Sequence, residues 1–380
     1  MNCSTLTPTL SRTRARECNR RRRANGPQRC AEAFPRPAQR GEGEGEGPPM
    51  SSDAKRILVT GGAGFIGMHA ALALARRGTD VVAIDNFDPY YDIELKQARA
   101  WKLAREPRIE FRRHDLADAD ATAALFGESA FTEVVHLAAQ PGVRYSLSNP
   151  AAYLRNNVDA FGNVLEACRH AQVAHLVYAS SSSVYGANHT LPFSEDQPTD
   201  TPVSLYAATQ KANELMAYSY AHLFGLPATG LRFFTVYGPW GRPDMAPMLF
   251  TKAILAGTPI RVFNHGDMRR DFTYVDDIVE GVARVLALPP ERDVVTGARH
   301  AIYNIGNNQS VPLLEFIATL ESLLGRKALR VDEPMQPGDV KETYASIDRL
   351  AALTGFTPRT PLAEGLAKFV EWYRGYYKTA

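Results

Sequence analysis

Gly61, Gly62, Gly64 and Gly67, together with the carboxylate of Asp85, are residues whose types and spacing suit a chemical task. One glycine lets a chain turn tightly, one lets backbone approach a pyrophosphate, and one lets a helix pack closely on a strand. A helix starting at the same point offers free N–H groups and the positive end of its dipole to phosphate. Asp85 stands 18 residues after Gly67, where a carboxylate can accept hydrogen bonds from ribose hydroxyls. The chemistry implied is the capture of a dinucleotide by its pyrophosphate and its adenosine ribose.

The elements that must position these groups follow from hydrophobic periodicity. Ile57–Thr60 reads as a short buried strand, Phe65–Arg77 as a helix that Phe65 and Ile66 open, and Val81–Ile84 as a second strand ending at Asp85. Asn86–Asp92 is a loop before a helix reaching about Arg105, and Ile109–Phe111 is a third strand leading to Asp115 and Leu116. Asp115 is placed there to meet an adenine edge. Asp118–Phe126 fits a helix with a carboxylate at its start. A fourth strand, Glu133–Leu137, is followed by Ala138 and Ala139, small enough for a cofactor to lie across. Pro150 opens a long helix, Ala151–His170, that carries Asn156. His175–Ala179 is a fifth strand running into Ser180–Ser183, Ser204–Phe224 a helix, and Ala228–Phe234 a sixth strand holding Phe233. Strands alternating with helices imply an α/β fold with a parallel, doubly wound sheet.

Past Gly238 the pattern loosens. A strand (Ile260–Phe263), a helix (Asp276–Leu286), a strand (Ala301–Ile305) and a helix (Leu313–Leu324) read as a smaller lobe. The last helix, Leu362–Tyr377, sets Leu362, Leu366, Phe369, Val370 and Tyr373 on one face, so it should pack. The expected division is 50–235 for the dinucleotide-binding domain and 236–380 for a substrate lobe whose segments return to it.

Several runs resemble the extended short-chain dehydrogenase/reductase superfamily: TGGAGFIG at 60–67, AAQPGVRYSLSNP at 138–150, YASSSSVYG at 178–186, YAATQKANE at 206–214, RFFTVYGPWGRPDM at 232–245 and RDFTYVDD at 270–277. Within the NAD-dependent epimerase/dehydratases, GVRYS, GPWGRPDM and MQPGDV (335–340) are similar to the UDP-glucuronate 4-epimerase branch. The resemblance covers roughly 56–375. It implies a Rossmann-type fold, NAD as cofactor, a UDP-sugar as substrate, a homodimer, and a cytoplasmic setting without nucleic-acid or membrane partners. It also implies a transient oxidation at C4, in which Tyr206 takes the hydroxyl proton and Ser181 hydrogen-bonds the 4-oxygen. On the cofactor it places Gly61, Gly64, Phe65, Ile66 and Gly67, then Asp85, Asn86, Asp115 and Leu116, then Leu137, Ala138, Ala139, Asn156 and Phe233, with Tyr206 and Gln210. On the substrate it places Ser181, Ser183, Tyr206 and Thr235 at the sugar, with Arg242 suited to a uronate carboxylate and Arg144 a further candidate. Arg270 would grip the diphosphate, Asn264 belongs to the nucleotide loop, and Asp339 would take the uridine ribose.

Two departures inform the reading. Related dehydratases carry an Asp-Glu pair where this chain has Ser182-Ser183, and losing water from the sugar needs such an acid and base. The superfamily places lysine four residues after the tyrosine, where an ammonium favours the phenolate; here that position is Gln210, and lysine comes one place later as Lys211. Residue i+4 of a helix lies about 40° round from residue i, whereas i+5 lies about 140° away, so Lys211 should point off the site. Epimerisation of another UDP-hexose, and a catalytically weak or inactive NAD-binding relic, both stay open beside the uronate reading.

Composition bounds the rest. With 45% hydrophobic and 22% charged residues, 380 residues suit one large α/β domain with a smaller lobe. No apolar run approaches the ~20 residues needed to span a membrane. Cys3, Cys18, Cys30 and Cys168 have no metal-binding spacing and suggest no disulfide framework. Residues 1–49 hold ten arginines, five glutamates and no lysine, a net +5 that leaves −3 for the remainder of a chain of formal charge +2. The basic balance therefore belongs to this tail, which has too little apolar surface to fold. It also lacks a secretory h-region, and its GEGEGEGPP repeat argues against an Arg-rich targeting peptide. Met50 is the expected initiator, just ahead of the first strand. A chain starting at Met50 should therefore melt at the same temperature and turn over substrate at the same rate as full length. A lower value of either would show that the tail packs on the body.

Overall fold

The computed structural model describes residues 55–335 and 340–379. Residues 1–49 and Asp339, on which sequence expectations fall, lie outside the described residues.

Seven parallel strands form the main sheet, in the order β10-β6-β5-β4-β1-β2-β3. They are β1 (Arg56–Thr60), β2 (Asp80–Asp85), β3 (Ile109–Arg113), β4 (Glu133–His136), β5 (His175–Ser181), β6 (Ala228–Phe233) and β10 (His300–Ile305). Helices follow: α1 (Phe65–Arg76), α2 (Ile93–Leu103), α3 (Ala119–Glu128), α4 (Ala160–His170) and α5 (Leu205–Phe224). The β1–β4 boundary, where the strand order reverses, is the topological switch point at which open α/β sheets bind ligands. The chain turns after β1, β2, β4 and β5 all emerge around that crevice.

Side chains alternate across β1. Ile57 and Val59 join the core under α1 and α7 (Val275–Leu286), while Leu58 joins the core under α3 and α4. Both faces of the sheet are thus covered, which is why its strands read as unbroken apolar runs.

The C-terminal third contributes short sheets. β7 (Thr235–Tyr237) pairs in parallel with β9 (Arg269–Tyr274), which pairs antiparallel with β11 (Ser310–Pro312); β8 (Ile260–Phe263) pairs with β12 (Arg330–Glu333). Helices α6 (Ala246–Ala256), α8 (Leu313–Leu324), α9 (Asp348–Thr354) and α10 (Leu362–Tyr377) complete this part. Phe369, Val370 and Tyr373 of α10 are buried in the larger core, so that helix packs as its stripe requires.

Three elements differ from expectation. The helix read over Asp276–Leu286 as part of the smaller lobe is α7, which packs beside α1 on the main sheet. The strand at 300–305 extends the main sheet, its Ile305 opposite Phe233 of β6, instead of belonging to the smaller lobe. Its alternation cannot tell which apolar neighbour it will meet. The helix expected over Ala151–His170 is interrupted by a π-helical turn, Leu154–Asp159, between Pro150–Tyr153 and α4. Such turns admit one extra residue and often mark functional sites. Here the turn carries Asn156 to the cleft and directs Asn157 Nδ2 to the Gln140 carbonyl (3.1 Å) and to Thr209 Oγ1 (3.1 Å). No helix among the described residues is long and apolar enough to cross a membrane.

Candidate active site

A cleft of about 450 Å³ opens across the ends of these strands. Its floor is the glycine turn. Gly61 has φ +67°, and a Cβ there would stand 2.9 Å from the backbone nitrogen of Ala138. A Cβ on Gly67 would fall 2.0 Å from the Gly61 carbonyl oxygen. Only glycine allows α1 to start this close beneath the turn.

Asp85 closes the end nearest β2. One carboxylate oxygen accepts from the Ala63 N–H (3.1 Å) and the other from the Phe87 N–H (2.8 Å). Burial pushes its carboxyl up, against the nearby Lys96 ammonium and these two bonds. Asp115 takes the Arg155 guanidinium at 2.6 Å. Burial would raise that carboxyl too, but the Arg155 hydrogen bond and the Ala117 N–H outweigh it, so the group lies below its ordinary value.

Across the sheet, Thr60 links β1 to β4. Its Oγ1 accepts from the Leu137 and Ala138 N–H groups, both at 3.1 Å, and lies 2.9 Å from His136 Nδ1. With two donors already on the oxygen, its own proton goes to Nδ1, which makes His136 a neutral acceptor. Burial agrees, pushing that imidazole down to about 3.

At the other end, β5 and α5 bring hydroxyls to the cleft. Strand alternation sends neighbouring serines opposite ways. Ser180 donates to Glu214 (2.7 Å) behind the sheet end, while Ser181 faces the cleft and caps the Ser183 N–H at 3.2 Å. Ser204 caps α5 through the Ala207 N–H (3.1 Å), and Tyr206 follows in the first turn, its ring edge-on to Tyr153. Tyr206 and Gln210 both line the cleft. Gln210 is 2% exposed, and its Oε1 is buried without a hydrogen-bond partner. Lys211 is turned aside, its Nζ 3.5 Å from Glu214 Oε2. Arg232 holds the same carboxylate with two bonds, at 2.8 and 2.9 Å.

Arg242 enters from the far wall. Its Nε reaches Asp244 at 3.1 Å and its Nη2 at 2.5 Å, and Asp244 also accepts from Tyr90 Oη at 3.0 Å. Burial weakens the guanidinium's hold on its proton, but Asp244 more than offsets this and Arg242 lies above its ordinary value.

The cleft therefore gathers every cofactor position expected from the sequence, from Gly61, Gly64, Phe65, Ile66 and Gly67 through Asn86, Leu116, Leu137, Ala139 and Asn156 to Phe233. Ser181, Ser183, Tyr206, Thr235 and Arg242 also line it. Three substrate candidates lie elsewhere. Arg144 is exposed and stacks over Phe263 at 4.6 Å; Arg270 donates to the Arg269 and Lys341 carbonyls; Asn264 donates to the Asp267 carbonyl. Sequence reasoning missed Lys96, Tyr90, Tyr91 and Arg99. The available signal was in α2, where Lys96 and Arg99 occupy the buried stripe of Leu95, Ala100 and Leu103.

These residues fit a dinucleotide. The glycine turn leaves room for a pyrophosphate, Asp85 and Asp115 line the cleft with carboxylate acceptors, and the buried Gln210 Oε1 is an acceptor that a ribose hydroxyl would satisfy. The profile of the NAD dependent epimerase/dehydratase family matches residues 57–306. The chain belongs to that family. It is 49% identical to Protein CapI of Staphylococcus aureus over 85% of this chain and 99% of that one. It is 47% identical to UDP-glucuronate 4-epimerase 2 of Arabidopsis thaliana, over 85% and 76% respectively. Among solved structures it is similar to the UDP-glucuronic acid 4-epimerase of Bacillus cereus in complex with UDP-glucuronic acid and NAD, with TM-score 0.77, 34% identity, and coverage of 85% of this chain and 100% of that one.

The neutral histidines make the fold acid-sensitive. His136 is pushed down to about 3 and His175 to about 4, chiefly by burial. Below the unfolded value of about 6.5, only the unfolded chain binds these protons, so stability falls as pH drops, by up to about 1.4 kcal/mol per pH unit for each histidine. The loss is complete only below each folded value. His136→Asn keeps an acceptor for Thr60 without titrating, and should flatten the acid limb of the urea midpoint against pH. An unchanged slope would show that His136 titrates normally in the folded protein.

Proposed function

We propose that this protein interconverts UDP-glucuronate and UDP-galacturonate by transient oxidation at C4 of the sugar. The observation that carries the reading is the wall around Ser181 and Tyr206. It holds hydroxyls and the Gln210 amide, the far wall adds the Arg242 guanidinium, and the carboxylates lining the cleft (Asp85, Asp88 and Asp115) cluster at the β2–β3 end. Dehydration would need an acid and a base beside the oxidised carbon, and Ser182 and Ser183 stand there instead. Epimerisation needs only a hydride and a proton to leave and return.

NAD bound on the glycine turn supplies the hydride acceptor that later becomes the donor. Tyr206 takes the 4-hydroxyl proton and gives it back after the sugar has turned over. Ser181, held by its bonds to Ser183, hydrogen-bonds the 4-oxygen and helps the proton move. Gln210 holds the ribose beside Tyr206. Arg242, aligned by Asp244 and Tyr90, meets the uronate carboxylate, with Thr235 beside it.

Incubation of the purified protein with NAD and UDP-glucuronate should yield the galacturonate epimer. Arg242→Ala should then lose about 2–4 kcal/mol of preference for UDP-glucuronate over UDP-glucose, the cost of truncating one side of a buried charge contact. Equal losses on both sugars would assign Arg242 to general architecture.

Gln210 should act as a brake. A cation about 4–6 Å from an acid can favour its charged form by about one to three pK units, and a neutral amide cannot. Gln210→Lys should therefore raise turnover about tenfold or more and move the basic limb of the pH–rate profile downward. Lys211→Ala should change the rate little, because its ammonium is spent on Glu214. NAD binding with no turnover, unchanged by Gln210→Lys, would mark a non-catalytic relic.

A further inference from the structure

Arg99 is a fully buried guanidinium, 0% exposed, on the inward stripe of α2. Its Nη1 donates to the Ala63 carbonyl at 3.0 Å and to Tyr91 Oη at 2.6 Å. Its Nη2 donates to the Trp240 carbonyl at 2.6 Å and to the Gly241 carbonyl at 3.1 Å. Every one of these acceptors is neutral, and its Nε is buried with no partner. Burying a charge on neutral acceptors is costly, and apolar residues of similar size often serve stability as well. The arrangement is therefore poor evidence of a stabilising device and better evidence of a positioning one.

The two acceptor groups belong to different sides of the cleft, its glycine-turn floor and the turn that delivers Arg242. Ala63 lies inside the glycine turn, between Gly62 and Gly64. Trp240 and Gly241 form the turn that delivers Arg242. That turn is strained: Trp240 has φ +64°, a left-handed conformation that a bulky residue rarely adopts. It persists because it is held from both sides. The Trp240 ring packs on Trp372 (centroids 5.5 Å apart) and Tyr376 (5.2 Å) of α10, and its carbonyl is pinned by Arg99.

We propose that Arg99 is a positioning residue that couples the cofactor turn to the turn carrying Arg242, so that ordering of the glycine turn by NAD also orders the sugar-reading wall. The proposal rests on the reading of Arg242 as the residue that meets the uronate. Planarity of the guanidinium lets one group hold both turns at fixed separation. A lysine keeps the charge but is a single point on a flexible stem, and cannot serve Ala63 and Trp240 in one geometry.

The test is backbone amide exchange of peptides spanning 61–67 and 238–245, with and without NAD, in the wild type, Arg99→Lys and Arg99→Gln. In the wild type, NAD should slow exchange in both peptides, by about threefold or more at 238–245. In folded Arg99 variants the protection should be confined to 61–67. Binding to the NAD-loaded protein should show the preference for UDP-glucuronate over UDP-glucose reduced by about fivefold or more in Arg99→Lys. Absence of NAD protection at 238–245 in the wild type would overturn the coupling, whether or not the variants fold. Full protection there in Arg99→Lys would overturn the role of Arg99. A wild type that shows coupled protection but no preference between the sugars would leave Arg99 in place and overturn the reading of Arg242.

Discussion

The carbonyl oxygen of Gly61 lies where a side chain on Gly67 would have to begin, 2.0 Å from an ideal Cβ. That approach fixes how closely α1 can sit beneath the turn after β1, and the rest of the cleft is measured from it. Ala63, held between these glycines, gives its N–H to Asp85 and its carbonyl to Arg99. Through Asp85 the turn is tied to β2, and through Arg99 to α2 and the turn before Arg242. A Cβ at either glycine would be driven into backbone atoms, which no rotamer change can relieve.

Behind the ends of β5 and β6 lies a second constraint, ionic instead of steric. Glu214 is buried and receives Arg232, Ser180 and Lys211. Burial would raise its carboxyl, but the Arg232 bonds lead the groups that hold it below its ordinary value. Removing one partner of such a pair costs about 3–5 kcal/mol, because a buried charge is left uncompensated. The pair therefore locks α5 to the ends of β5 and β6, and Ser181 and Tyr206 take their places from those elements. Strand alternation does the sorting: Ser180 and Arg232 turn toward the ion cluster, while Ser181 and Phe233 turn toward the cleft.

The same helix shows how one position redistributes charge. Residues 206, 210 and 214 recur every four residues, so they drift slowly round α5 from the cleft to the ion cluster. Tyr206 and Gln210 meet the cleft, Glu214 meets Arg232, and Lys211 reaches Glu214. The cleft wall at Tyr206 is thereby neutral, and the cations facing the cleft come from α2 and the 240–242 turn.

Much of this was legible in the sequence because it depends on local rules. The glycine spacing, the strand that precedes it and the helix it opens are set within a dozen residues, as are the start of α5 at Ser204 and the directions of Gln210 and Lys211. Parallel pairing of the first six strands follows from strict strand–helix alternation. What the sequence could not show depends on partners far along the chain. Nothing in 300–305 announces that it closes the edge of the main sheet beside β6, since an apolar strand fits any apolar edge. The π-helical turn at Leu154–Asp159 sets Asn157 against Gln140 and Thr209, neither of which is its neighbour in sequence. Arg99 looks like one more charge on a mixed helix until its four acceptors converge from residues 63, 91, 240 and 241. Local sequence thus determined which backbone turns and helix faces are available, because sterics and periodicity act over a few residues. Only the tertiary structure decided which buried charges face which carbonyls, because that depends on where distant segments come to rest.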